Sequence, residues 1–227
     1  MHRFITDLDL TLNYIELFGD VGHQMVDVLR MGEKEQVELL DGQGNSAVVE
    51  ITEVKKHGAT VHVISRAFSP LDLSRRVVLY CAVLKKDNFE WVVQKATEVG
   101  VAEIVPIITD RTIKTGLRAD RLEKIINEAV EQCGRNTLPK LREVVNFDVA
   151  LREATGKKIF FHAGGVQLGD LKLVESEVSI FIGPEGGWSE AEVEQARAGG
   201  VEIASLGNNI LRGETAAVAA TWWAVNG

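Results

Sequence analysis

The chain has 227 residues, 45% of them hydrophobic and 26% charged, the proportions of a globular protein with room for one large folding unit or two modest ones. No apolar run approaches the roughly 20 residues that span a bilayer. The start Met1-His2-Arg3-Phe4-Ile5-Thr6-Asp7 lacks an apolar stretch and a small-residue cleavage site, so neither membrane nor export is expected and the cytoplasm is the default. The net charge of −8 counts against a general nucleic-acid coat, because phosphate contacts need Lys and Arg, while leaving room for a local basic patch.

The first 70 or so residues read as β structure. Gln36 to Leu40 leads into the turn cluster Asp41-Gly42-Gln43-Gly44-Asn45; Ser46 to Val54, the turn His57-Gly58 and Thr60 to Ser65 follow. Short strands between glycine-rich turns predict a small barrel or sandwich. One short helix is expected near His23 to Leu29, and Phe68-Ser69-Pro70-Leu71 is the expected domain boundary.

From Arg76 onward strands alternate with helices. Val77 to Val83 reads as a buried strand. Phe89, Val92, Val93 and Ala96 form one helix face, and Gly100 is a natural stop. A strand is expected over Glu103 to Ile108 and a helix over Asp120 to Cys133, with Asp120 as its cap and Glu123 as the reciprocal partner. Lys158 to His162, Val178 to Ile182 and Ile203 to Leu206 read as strands. Ser189 with Glu192 is a capping box, and Thr215 to Val225 is a last helix. This alternation predicts a parallel sheet with helices on both faces. Cys81 and Cys133 read as reduced thiols, and the five scattered histidines show no metal-ligand spacing, so no metal is expected.

Ligands of such sheets sit beyond the carboxyl ends of the strands. Three glycine-bearing loops stand there: His162-Ala163-Gly164-Gly165, Gly183-Pro184-Glu185-Gly186-Gly187-Trp188, and Gly207-Asn208-Asn209-Ile210-Leu211-Arg212-Gly213-Glu214. There is no G-x-G-x-x-G after a strand and no Walker A loop, which argues against a conventionally bound dinucleotide or nucleoside triphosphate. The same glycines are also ordinary turn chemistry. Between Arg111 and Lys124 five cations face two carboxylates, a local basic cluster in an acidic chain that fits either a solvated face or a phosphate contact.

The order of motifs resembles the bacterial family that methylates N3 of a uridine in 16S ribosomal RNA, within the SPOUT class of knotted methyltransferases. The resemblance covers nearly the whole chain. His2-Arg3-Phe4, His23 with Val28-Leu29-Arg30, Trp91 to Val101 leading into Ile104-Val105-Pro106, Glu131 to Arg135 with Pro139, Gly183 to Gly187, and Leu206-Gly207 with Ile210 to Ala216 carry it. Trp188 stands where the family commonly has Phe, and Gly213 occupies a variable place. The resemblance implies an α/β protein: residues 1–70 as a PUA-like RNA-binding β-barrel and residues 74–227 as a SPOUT domain with a C-terminal trefoil knot. It also implies a homodimer, S-adenosyl-L-methionine as cofactor, and 16S rRNA within the small subunit as partner.

On that footing the cofactor candidates are His162, Ala163, Gly164, Gly183, Glu185, Gly186, Gly187, Leu206, Gly207, Ile210 and Leu211. Leu206, Ile210 and Leu211 suit the adenine faces, and a side chain at Gly187 or Gly207 is expected to stand where backbone must approach. Glu185 either faces the donor's positive end or ribose, or caps local backbone. Arg212 is the candidate for stabilising the uracil oxygens, or else pairs with Glu214 or a partner copy and holds the fold. Glu214 acts as base, orients Arg212 or caps the last helix. His2, Arg3, His23, Arg30, Lys85, Lys86, Arg111, Lys114 and Arg135 are candidate RNA contacts. Two other readings stay open: a SPOUT enzyme acting on another RNA such as transfer RNA, and a non-catalytic RNA-binding assembly factor.

Overall fold

The computed structural model describes residues 1–69, 75–85, 87–113 and 116–227. Pro70 and Leu71 of the expected boundary, Ser74, Lys86 and Lys114 lie outside these residues. The chain forms two compact units, Met1–Asp72 with Val130–Leu138, and Leu73–Ala129 with Pro139–Gly227.

The first unit holds β1 (His2–Ile5), β2 (Tyr14–Leu17), α1 (Gly19–His23) running into a π-helical turn (Gln24–Val28), β3 (Gln36–Leu40), β4 (Asn45–Lys55) and β5 (Gly58–Phe68). These strands form one sheet in the order β1-β3-β4-β5-β2, with β1 parallel to β3 and the other pairs antiparallel. The period-two pattern fixes the register: Val37 and Leu39, Ala47, Val49 and Ile51, and Ala59, Val61 and Val63 turn inward with Phe4 and Met25. Residues 130–138 are sewn to this sheet by backbone: Gly44 N donates to Asn136 O at 3.0 Å, and Leu138 N to Gly42 O at 2.9 Å. Neither β1 nor β2 is anticipated from the sequence.

The second unit contains β6 (Arg76–Ala82), α2 (Asn88–Val99), β7 (Glu103–Ile108), most of α3 (Ala119–Cys133), β8 (Lys140–Leu141), β9 (Val145–Asn146), α4 (Phe147–Glu153), β10 (Lys157–Gln167), β11 (Glu177–Ile182), α5 (Glu190–Ala198), β12 (Glu202–Ser205) and α6 (Gly213–Asn226). All its strand pairs are parallel, in the order β12-β10-β11-β6-β7-β8, with β9 also on β7. Along β6, Val78, Tyr80 and Ala82 join Phe147, Ala150 and Leu151 of α4 and Val193 and Ala196 of α5 in one core. Val77, Leu79 and Cys81 are buried on the alternate face, where α6 packs on β6, β11 and α2. The sheet is therefore covered on both sides, as the alternation predicts.

Two local expectations change, and one helix has none. Asp120 does not cap α3: Arg121 N and Leu122 N both donate to Arg118 O at 3.1 Å, so Arg118 opens the helix. Asp120 sits in the first turn and accepts from Arg118 Nη2 at 2.6 Å. The expected loop His162 to Gly165 is a bulge inside β10, because Phe161 and Val166 both pair with Ala204. Helix α4 has no expectation at all, its apolar residues being too few to print a period over seven residues.

Arg75, immediately before β6, is only 9% exposed. Its guanidinium donates to Glu175 O, Ala224 O, Gly227 O and Leu173 O at 2.7–2.9 Å. Two of these carbonyls belong to the end of α6, where a cation offsets the helix dipole and satisfies oxygens that have no intrahelical donor. Arg75→Met is expected to cost about 2–4 kcal/mol, since it strands buried acceptors. Urea unfolding checks this, and a loss under about 0.5 kcal/mol refutes the anchoring role.

Candidate active site

The carboxyl ends of β10, β11 and β12 open into one cavity of about 850 Å³, within the range of small-molecule sites. Phe161 to Gly164 and Gln167 come from β10, Ile182 from the end of β11, Gly183 to Glu185 with Gly187 and Trp188 from the loop after it, and Ser205 to Glu214 from the end of β12 into α6. The three glycine-bearing segments singled out in the sequence thus meet at one place. All the cofactor candidates line it except Gly186. Arg212 and Glu214 line it too.

The wall is built on glycines whose space is already taken. A Cβ on Gly183 would stand 2.9 Å from the Trp188 ring, and one on Gly165 2.5 Å from the backbone of Ala204. The buried Trp188 indole donates to Phe161 O at 3.0 Å and stacks near Phe160 with ring centroids 4.3 Å apart, so it joins the loop after β11 to β10. Gly187 and Gly207 border open space: among the described residues nothing lies within 4 Å of a Cβ at either, and their φ values of +69° and +129° favour glycine.

The second loop is held from several sides. Gly187 N donates to Pro184 O at 2.9 Å, closing a turn. Glu185 Oε1 accepts from Lys85 N at 2.7 Å, so this carboxylate caps backbone while still bordering the cavity. Arg111 Nη1 donates to Gly186 O at 2.8 Å. Ser189 and Glu192 make the expected capping box of α5, and Glu192 Oε1 also accepts from Asp110 N at 3.0 Å. Cys81 lies beneath the site; burial, and secondarily the Glu185 carboxylate, push its thiol pKa far up, so it is an inert protonated thiol.

The third segment ends on Arg212, the N-cap residue of α6, whose carbonyl accepts from Ala216 N at 2.8 Å. Its side chain is 86% exposed and its Nη1 stands 4.0 Å from Glu214 Oε1, the long limit of an ion pair. Glu214 sits in the first turn of α6 and does not cap it. Its Oε2 is buried with no hydrogen-bond partner among the described residues. Ile210 is 95% exposed at the cavity mouth, and Leu211 is exposed beside it.

The RNA candidates divide by surroundings. His2, Arg30 and Lys85 are exposed. Arg3 is spent on structure: Nε pairs with Glu38 at 2.8 Å and Nη2 bonds Asn136. Arg135 is largely buried, which lowers its pKa. Arg111 borders the cavity through its bond to Gly186, and His23 bonds Asp27 at 2.6 Å. Sequence reasoning missed Asn88, Gln167, Ser205, Asn208 and Asn209, which also line the cavity. Asn208 and Asn209 stand inside a loop already singled out; Asn88 and Gln167 carry no local signal and are brought in by topology.

Residues 71–225 match the family model of the RNA methyltransferase domain, and residues 19–64 that of the RNA methyltransferase PUA domain. The chain is 30% identical to the ribosomal RNA small subunit methyltransferase E of Bacillus subtilis, over 95% of this chain and 93% of the relative. It is 28% identical to the protein of the same name from Rickettsia conorii, over 91% and 87% of the two chains. Among solved structures, the ribosomal RNA small subunit methyltransferase E of Neisseria gonorrhoeae bound to S-adenosyl methionine superposes with a TM-score of 0.89 at 30% identity, covering 97% of this chain and 95% of that one.

Neighbouring glycines of the second loop are expected to respond differently to one added methyl. Gly183→Ala forces Trp188 to move and should cost about 1–3 kcal/mol. Gly186→Ala meets only the Arg111 side chain at 3.4 Å and should stay within about 0.5 kcal/mol. Parallel urea titrations check the contrast; equal effects contradict the packing described for Trp188.

Proposed function

We propose, from the premise that the chain belongs to the ribosomal RNA small subunit methyltransferase E family, that it methylates N3 of a uridine in 16S ribosomal RNA with S-adenosylmethionine as donor. The observation that carries this reading is the single cavity where three parallel strands end. Bare backbone at Gly164, Gly187 and Gly207 leaves open space, and exposed Ile210 and Leu211 stand at its mouth. These features fit a flat adenine between apolar side chains with glycine backbone at its edge. When bound, the donor supplies a methyl group on a cationic sulfur. Glu214, with its unpartnered Oε2, adds the negative charge that such a cation favours.

Neutral uracil carries a proton on N3, so its methylation develops negative charge on the flanking oxygens as that proton passes to solvent and N3 takes the methyl group. Arg212 is the residue assigned to receive that charge, a reading supported by its backbone as the N-cap of α6 and by its exposed guanidinium at the cavity. A planar guanidinium can fork two hydrogen bonds onto the uracil edge. Glu214, 4.0 Å away, orients that fork.

The remaining parts of the proposal concern partners. Residues 1–70 act as the RNA-binding PUA-like module, with His2 and Arg30 as exposed contacts, and residues 74–227 as the knotted catalytic domain. Copies pair through α6, whose Ala216, Ala219 and Trp222 lie away from the buried Ala217, Ala220 and Ala224; Trp222 is 57% exposed. Among the described residues no helix is long and apolar enough to cross a membrane, and an enzyme of ribosomal RNA works in the cytoplasm.

Transfer of labelled methyl to 30S subunits, naked 16S rRNA and transfer RNA tests the substrate. Label confined to small-subunit RNA is expected, and transfer to transfer RNA alone overturns it. Arg212→Ala should lower turnover by about 100-fold, on the order of 3 kcal/mol, with donor affinity little changed. Arg212→Lys should rescue poorly. Loss of donor affinity or dissociation to monomers in the alanine variant would make Arg212 structural.

A further inference from the structure

The histidines are scattered in sequence, yet the fold turns two of them onto one carboxylate in the first unit. His23 Nδ1 lies 2.6 Å and His57 Nδ1 2.7 Å from the same oxygen, Asp27 Oδ2. One ligand atom from each residue lies within 4.8 Å of the others.

Three features of the backbone hold this cluster. His23 closes α1 and Asp27 follows four residues later, a spacing that places both on one helical face. Asp27 lies in the π-helical turn, a rare conformation that is frequent at functional sites. His57 occupies the hairpin turn between β4 and β5 with φ +60°, in the left-handed region that non-glycine residues enter at a cost of about 1 kcal/mol. Helix and turn are also locked in close register: a Cβ on Gly22 would stand 2.9 Å from His57 O and 3.0 Å from the Cα of Gly58. The Lys55 ammonium, two residues before His57, is engaged by Glu16 at 2.7 Å and Glu53 at 3.7 Å.

We infer that His23, Asp27 and His57 form a site for a divalent transition-metal cation of the zinc type, with its remaining positions open to solvent. Two imidazole nitrogens and one carboxylate oxygen are the donors such ions prefer, at about 2.0–2.2 Å each. The cation takes the place of the protons that the imidazoles share with Asp27, and a small outward rotation of the three exposed side chains admits it. The open positions suit water or an anionic oxygen. This site is separate from the cavity at the strand ends and does not depend on the methyltransferase reading.

The test uses the full chain, stripped with chelator and titrated with Zn²⁺ by calorimetry and with Co²⁺ by visible absorption. One equivalent of each should bind, with the Co²⁺ spectrum showing nitrogen ligation. His57→Asn keeps a side chain that tolerates the left-handed backbone, so its urea midpoint should match the parent. Its Zn²⁺ affinity should nevertheless fall by about tenfold or more, as should that of Asp27→Asn and His23→Gln. Absence of Zn²⁺ binding by the parent chain overturns the inference, leaving a hydrogen-bonded cluster. Equal affinity in parent and His57→Asn overturns it as well.

Discussion

Backbone at the ends of β10, β11 and β12 has to come within touching distance of its neighbours, and the rest of the site depends on that closeness. Gly165 lets β10 return against Ala204 of β12 after its bulge. Gly183 lets the Trp188 ring slide under the end of β11 and reach Phe161 O. Gly213 lets the start of α6 approach Leu84 and Gly183 O, where a Cβ would stand 3.0 and 3.4 Å from them. A side chain at Gly165 or Gly183 would force the wall to shift, and one at Gly213 would ask Leu84 to give by a few tenths of an ångström. At Gly164, Gly187 and Gly207 the requirement is different: a positive φ that turns the chain around an open cavity.

Around this wall the electrostatics are arranged in layers. Carboxylates near the site are mostly committed to backbone: Glu185 to Lys85 N, and Glu192 to Ser189 N and Asp110 N. Glu214 Oε2 stands apart as a buried oxygen with no such donor among the described residues, and Arg212 is the nearby cation with its head in solvent. Arg75 works from the far end of α6, neutralising the carbonyls there. The Glu214 carboxylate in the first turn of α6 and the Arg75 cation at its last carbonyls both suit the helix dipole, whereas the Arg212 cation at the N-cap gains nothing from it.

Much of this was legible in the chain because the signals are periodic. Alternation along Val37, Leu39, Ala47, Val49 and Ile51, the helical spacing of Phe89, Val92, Val93 and Ala96, and Gly100 as a left-handed stop (φ +105°) each print a local pattern. The Ser189–Glu192 box is a two-residue signal, and the structure contains it. What escaped is short or non-local. Strands β1 and β2 have four residues each, too few to show alternation against noise. Arg118 rather than Asp120 caps α3 because backbone geometry, not residue type, decides between adjacent candidates. Gln167 and Asn88 reach the cavity, and His57 reaches Asp27, only through folding; no spacing along the chain encodes those meetings.

The central claim is that the cavity at the three strand ends is where the methyl donor sits. Calorimetric titration of the full chain with S-adenosylhomocysteine, beside an Ile210→Asp variant, tests it most directly. The account predicts one-to-one binding by the parent chain. In the variant it predicts affinity lower by about tenfold, roughly 1.4 kcal/mol, because a carboxylate replaces the apolar side chain at the cavity mouth. No binding, or equal affinity in the two proteins, would contradict it.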